Sequence, residues 1–240
     1  MKKRLLMAVV ALMLLTVTAC SKPAQEKKEE PVQEEQQKAE EPKEEEKVEE
    51  KKVEEKKETG TVDSEWTEME FIFDGVNMKL LETPYKTLEE NGWTFNMADY
   101  GYEDGYILNP KDKLTSTIDL TNEKYLEDKY AVRVSAGFIN TTDGAVDVTE
   151  SNVWAIQADV SSAMKKGEPY PDFVLAGGIT WGATYEEIKA AYGEPSEEPY
   201  RSEDLGYYTY EYKNEYSQNM RFVVYDEMGL TEIDIHNYGN

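Results

Sequence analysis

In 240 residues the chain has one cysteine, Cys20, and one histidine, His236. A single cysteine cannot close an intramolecular disulfide. A single histidine rules out the usual His-rich zinc site, and any Cys-His pair would have to use Cys20. Positive charge is also scarce, with 26 Lys and Arg against 50 Asp and Glu and a formal net charge of −24. The longest apolar run, Leu5 to Val17, is short of the roughly 20 residues that cross a bilayer. Neither G-x-x-x-x-G-K-[ST] nor G-x-G-x-x-G occurs, so no phosphate-cradling loop is expected. No cofactor and no metal site are expected either.

The N-terminus does carry a signal. Lys2, Lys3 and Arg4 precede the apolar run, and small residues lead to Cys20, the layout of a secretion signal over residues 1–19. Val17-Thr18-Ala19-Cys20 resembles the bacterial lipobox. That resemblance implies cleavage before Cys20 and lipid on its sulfur and amine, which places the protein at the cell membrane facing outside the cytoplasm. The alternative is a secreted protein with a free thiol. Residues 20–62 form the next segment. Between Ser21 and Gly60 there are ten Lys and fifteen Glu, three prolines and no aromatic residue, too little apolar area to offset chain entropy. A spacer of this length reaches roughly 35 Å if flexible and about 60 Å if helical.

With a leader of +3 and a spacer of −5, residues 61–240 carry −22, together with every aromatic residue, including all 17 tyrosines. Such a field repels nucleic acid and anionic lipid and favours basic partners. The pattern here is mainly strand, at 116–122, 130–140, 152–159, 207–212, 220–226 and 230–237, the last three forming an antiparallel meander. Two short helices are expected. One is capped by Thr184 and Glu187 and stopped by Gly193, with Tyr185, Ile188 and Tyr192 on one face. The other starts at Thr83-Pro84 and ends at Gly92, with Tyr85 and Leu88 on one face. Their similar plans predict an α+β fold of two related units, 63–165 and 166–240, each a short helix packed on a curved antiparallel sheet. Gly177, Gly178 and Gly182 are read as turn residues that feed the second helix.

"GITWGATYEEIKAAYGEP" (178–195), followed by "YYTYEY" and a final hairpin, resembles the repeat of β-lactamase-inhibitory protein and of SmpA/OmlA-type envelope lipoproteins. The resemblance extends well from Gly178 to His236 and loosely over the unit from Phe73. It implies a curved antiparallel sheet with the helix on one face and the other face free for a protein partner. The disulfides of that inhibitor are absent here, so the resemblance implies the fold and not the inhibitory activity. "VRVSAGFINTTDGAVDVTESNVWAIQAD" (132–159) resembles extracytoplasmic lipoproteins of Gram-positive bacteria.

Catalytic patterns are weak. Ser162 to Lys165 fits S-x-x-K without the companion motifs of penicillin-recognising enzymes. Glu89/Glu90 and Glu186/Glu187 are consecutive on helices and point apart. "DYGYEDG" (99–105) and "DGAVDVTE" (143–150) crowd oxygen ligands but do not follow the EF-hand order. Two function classes remain. The first is a non-catalytic protein-interaction module whose partner is a protein of unspecified identity, a basic one being an option. Strand alternation puts Phe222, Val224, Ile233 and Ile235 toward the helix, leaving Tyr207, Arg221, Tyr225, Asp234 and His236 as a partner-binding patch. The second is a binding protein for a small cationic or sugar-like ligand, suggested by the tyrosines and the acidity. A pocket combining tyrosines with convergent carboxylates favours the second; a broad aromatic sheet face favours the first.

Overall fold

The computed structural model describes residues 61–126, 130–214 and 217–239. Cys20, the signal segment and the spacer up to Gly60 lie outside the described residues. The elements in chain order are β1 (Glu70–Phe73), β2 (Val76–Lys79), α1 (Tyr85–Glu90), β3 (Ile107–Leu108), β4 (Ile118–Leu120), β5 (Arg133–Ile139), β6 (Val146–Asp147), β7 (Asn152–Asp159), α2 (Ser161–Lys166), β8 (Phe173–Leu175), α3 (Tyr185–Tyr192), β9 (Tyr200–Ser202), β10 (Tyr207–Lys213), β11 (Gln218–Tyr225) and β12 (Gly229–Asn237). This is an α+β fold with few helices and a large antiparallel sheet.

That sheet has seven strands in the order β4-β5-β7-β12-β11-β10-β9. Alternation makes one face apolar. Leu120, Val134, Ala158, Ile233, Phe222 and Tyr210 form one cross-strand row, and Ile118, Ala136, Ile156, Ile235, Met220 and Tyr212 form the next. All twelve are buried in a single apolar cluster. Fully burying one large aliphatic or aromatic side chain contributes about 1.5–3 kcal/mol, so a one-residue slip, which would turn both rows outward, is heavily disfavoured.

The inner face is covered by α1, α3 and a smaller sheet, β2-β1-β8. In α1, Tyr85 packs edge-on against Phe138 of β5, centroids 5.3 Å apart. In α3, Tyr185 stacks on Tyr210 at 4.1 Å, and Tyr192 meets Tyr212 at 5.6 Å. The capping box expected for α3 is present, with Thr184 Oγ1 accepting from Glu187 N and the Glu187 carboxylate accepting from Thr184 N at 2.7 Å. Gly177, Gly178 and Gly182 all have positive φ, consistent with turn residues.

The start of α1 differs from expectation. Its N-cap is Pro84, and no side chain caps it. Thr83 instead turns back on the preceding chain, where its Oγ1 accepts from Lys79 N at 2.7 Å. A threonine hydroxyl serves a turn as readily as a helix end, and the tight path from β2 into α1 takes it. The β1–β2 hairpin was also missed, although Asp74-Gly75 is a strong hairpin dipeptide. Both residues have positive φ, 48° and 78°, the conformation a two-residue type I′ turn demands. The helix α2 adds a third to the two expected and contains the Ser162–Lys165 stretch. No helix among the described residues is long and apolar enough to cross a membrane.

Candidate functional site

The outer face of the large sheet follows from the same alternation. One row runs Asp119, Ser135, Gln157, Asp234, Arg221, Glu211, and another runs Arg133, Asp159, Glu232, Val223, Thr209. All five residues of the expected patch lie on this face, in two groups. At one end Tyr207 and Tyr225 are directly opposite across β10 and β11, with ring centroids 5.2 Å apart. Further along, Arg221 and His236 are each paired with Asp234, and the row of Val223 and Glu232 lies between the two groups.

Asp234 is the hub of the second group. Its carboxylate receives Gln157 Nε2 at 3.0 Å and His236 Nε2 at 3.1 Å, and faces Arg221 Nε at 3.5 Å. Arg221 also donates to Glu232 at 2.8 Å. His236 Nδ1 lies 3.2 Å from the Tyr238 hydroxyl. A neutral imidazole protonated on Nε2 satisfies both contacts, donating to Asp234 and accepting from Tyr238. Burial pushes the His236 pKa down, only partly offset by Asp234. Burial likewise raises Glu232, against the pull of Arg221. At Asp159 burial works the other way from the bonds to Arg133 and Ser161, and the bonds prevail, holding the carboxyl below its ordinary value.

Strand pairing brings in residues that the sequence reading left out. Gln157, Asp159, Arg133 and Ser135 join the face because β7 pairs with β12. So does Trp154, at the β5–β7 irregularity, whose ring lies between Gly137 and the His236–Tyr238 pair. Lys113 Nζ stands 5.1 Å over the Trp154 ring and 4.8 Å over that of Tyr238. The alternation of "NVWAIQAD" already separated Gln157 and Asp159 from Ile156 and Ala158, but it would put Trp154 on the inner side; the irregularity opposite Gly137 turns it out, and only the pairing of distant strands puts these side chains beside Asp234. The face as a whole is a lattice of charge flanked by aromatic rings, Tyr207 with Tyr225 at one end and Trp154 with Tyr238 at the other.

A second feature lies at the end of the sheet. A cleft of about 550 Å³ opens between the first turn of α3 and the β11–β12 turn, its lining including Tyr185, Tyr208, Tyr210, Glu186, Asp226 and Glu227. Gly229 shapes one end of it. The backbone of Gly182 packs so closely there that a Cβ on Gly229 would lie 2.2 Å from the Gly182 carbonyl oxygen. Paired bonds between Gly182 N and Leu230 O and between Leu230 N and Ala183 O, both 2.9 Å, fasten the approach to α3 onto this turn.

The two oxygen-rich loops use their carboxylates locally. Asp147 Oδ1 accepts from Thr149 N and Oγ1, and Asp99 accepts from Asn96. Among the described residues no three Asp, Glu, His or Cys side chains converge to hold a metal ion. No protein-family model, curated protein or solved structure matches this chain.

Proposed function

We propose that the protein is a lipid-anchored extracytoplasmic lipoprotein of the cell membrane acting as a non-catalytic protein-interaction module, with the outer sheet face as its recognition surface. The observation that carries this reading is the convergence of Tyr207, Tyr225, Arg221, Asp234 and His236 on the face opposite the core. The excess of 22 negative charges on residues 61–240 suits a basic partner. A non-catalytic role is supported by His236, whose two nitrogens are both engaged by Asp234 and Tyr238. The tether is Cys20, and the charged spacer to residue 62 holds the folded part away from the lipid.

The reading includes two related units, 63–165 and 166–240, which share the sheet. In support, each helix is followed by strands that run inward from an edge of the sheet, and the two runs end on the adjacent central strands β7 and β12. Tyr85 on Phe138 and Tyr185 on Tyr210 then occupy corresponding places.

The test is capture from envelope extract with wild-type protein, repeated with Tyr207→Ser/Tyr225→Ser. These two side chains are half-buried and make no hydrogen bond among the described residues, whereas Arg221 is a poor probe because its removal takes the cation from Glu232 and Asp234. A partner retained by wild type and lost at least tenfold by the double variant supports the face; equal retention refutes it. A second reading, a binding protein for a small cationic or sugar-like ligand, is favoured by a separate observation: tyrosines and carboxylates share one cleft.

A further inference from the structure

In the cleft at the end of the large sheet, the acidic groups differ in what they already hold. Asp226 is held by Arg201 through two bonds of 2.8 Å. Glu187 belongs to the capping box. Glu186, in the first turn of α3, and Glu227, in the β11–β12 turn, form no ion pair among the described residues. Arg201 is committed to Asp226, and Lys189, whose charge reaches Glu186, is paired with Glu194 at 2.6 Å, so among the described residues no cation is bonded to either carboxylate.

The aromatic wall is equally specific. Arg201 lies 4.4 Å from the ring of Tyr208, Tyr208 is 5.8 Å from Tyr210, and Tyr210 is stacked on Tyr185 with planes 5° apart. Lys189 closes the far end, 5.8 Å from the Tyr185 centroid. The ring faces of this ladder are therefore occupied by one another and by the protein's own cations. What remains for a ligand is ring edges, phenol oxygens and carboxylates.

One phenol stands out. Three buried or half-buried tyrosines bond their hydroxyls to backbone carbonyls, Tyr85 to Trp93, Tyr192 to Ala176 and Tyr212 to Gly193. Tyr210 is 3% exposed, lines the cleft, and its hydroxyl has no partner among the described residues. Burial, with added repulsion from Tyr185, Tyr208 and Glu186, pushes its pKa up, so the phenol stays neutral. The hydroxyl oxygen itself is open to solvent from the cleft, so a donor on a ligand would replace water there.

We infer that this cleft binds a small polyamine, whose ammonium groups donate to Glu186 and Glu227 and to the Tyr210 oxygen. A quaternary ammonium lacks the N–H donors these acceptors need and would depend on ring faces that are already filled. A sugar would depend on the same faces. The cavity lies within the range of small-ligand sites, roughly 300–1,000 Å³. This inference rests on the second reading above; the cleft shares Tyr225 with the outer sheet face but not Tyr207, Arg221, Asp234 or His236.

The experiment is calorimetric titration of the full-length chain with spermidine, with maltose as a neutral comparison. Wild type should bind one spermidine saturably. Glu186→Gln/Glu227→Gln should weaken that by about tenfold or more, consistent with losing two charged hydrogen bonds. Glu89→Gln/Glu90→Gln, which removes the same charge from α1, should change it less than about twofold. Tyr210→Phe should weaken binding measurably without lowering Tm. Equal losses from the two double variants would reduce the effect to the diffuse field of an acidic protein and overturn the site, as would no saturation at millimolar spermidine. Maltose binding that Tyr210→Phe weakens, with none for spermidine, would overturn the polyamine while keeping the ligand-binding reading; binding of neither would end both.

Discussion

Trp154 lies across Gly137. A Cβ built on Gly137 would fall 2.4 Å from Cε2 of the indole and 2.6 Å from Nε1. The absence of a side chain on β5 thus lets a tryptophan from β7 lie flat on the outer face of the sheet, against His236 and Tyr238.

Gly137→Ala should therefore destabilise the fold by about 1–3 kcal/mol, the usual penalty for overfilling a packed site. Trp154→Leu in the same background should recover part of the loss. Denaturant melts of the four proteins of this double-mutant cycle check it, and strict additivity would show that the two positions do not compete for space.

Removing the cap of α3 should be measurable as well. Thr184→Ala is expected to cost about 1 kcal/mol in a denaturant melt. The bonds from Thr184, its backbone N–H first, hold the Glu187 carboxyl below its ordinary value of 4.5. This support is present above pH 4.5 and fades as the pH falls; Thr184→Ala, which keeps the backbone N–H, should flatten the acid limb of the stability profile only in part, and Glu187→Gln more fully.

His236 gives the opposite end of the titration scale a signature. Burial lowers its pKa from 6.5 in the fold, so between the folded and unfolded values the unfolded chain binds more protons. Its contribution is complete above pH 6.5 and is lost as the pH falls toward the folded value. His236→Asn should remove that part of the pH dependence. An unchanged slope below pH 6.5 would mean the imidazole is not held neutral.

Cys20→Ser should release the protein from membranes or leave its leader uncleaved. Fractionation of cells expressing each form decides this, and a variant that loses its leader yet stays with membranes would refute the lipid anchor.

A chain beginning at Thr61 should unfold cooperatively, with a Tm unaffected by a chelator. Among the described residues the core runs from Met69 to Ile235. Loss of the transition in chelator would instead restore calcium to one of the oxygen-rich loops.

Much of this was legible because it is local. The capping box of α3 needs only Thr184 and Glu187 three positions apart, and the inward set Phe222, Val224, Ile233 and Ile235 follows from a period of two. The α1 cap failed because two turns competed for Thr83, and the one nearer β2 won. The inward placement of Tyr210 and Tyr212 follows the alternation, but their hydroxyls diverge. Tyr212 meets the Gly193 carbonyl and Tyr210 meets none, a difference set by where α3 ends rather than by anything in "YYTYEY".

By itself the sequence determined which residues alternate, where chain direction reverses, and that nearly all the net negative charge lies on the aromatic-rich part. These are properties of neighbours along the chain, governed by backbone geometry and composition. Only the tertiary structure decided that β7 lies beside β12, which joins Gln157 and Trp154 to Asp234 and His236, and that the β11–β12 turn faces α3, which makes a cleft of Glu186, Glu227 and Tyr210. Contacts between segments 40 to 80 residues apart depend on which strand edges meet once the apolar face is buried, and alternation within one strand is the same whichever neighbour it acquires.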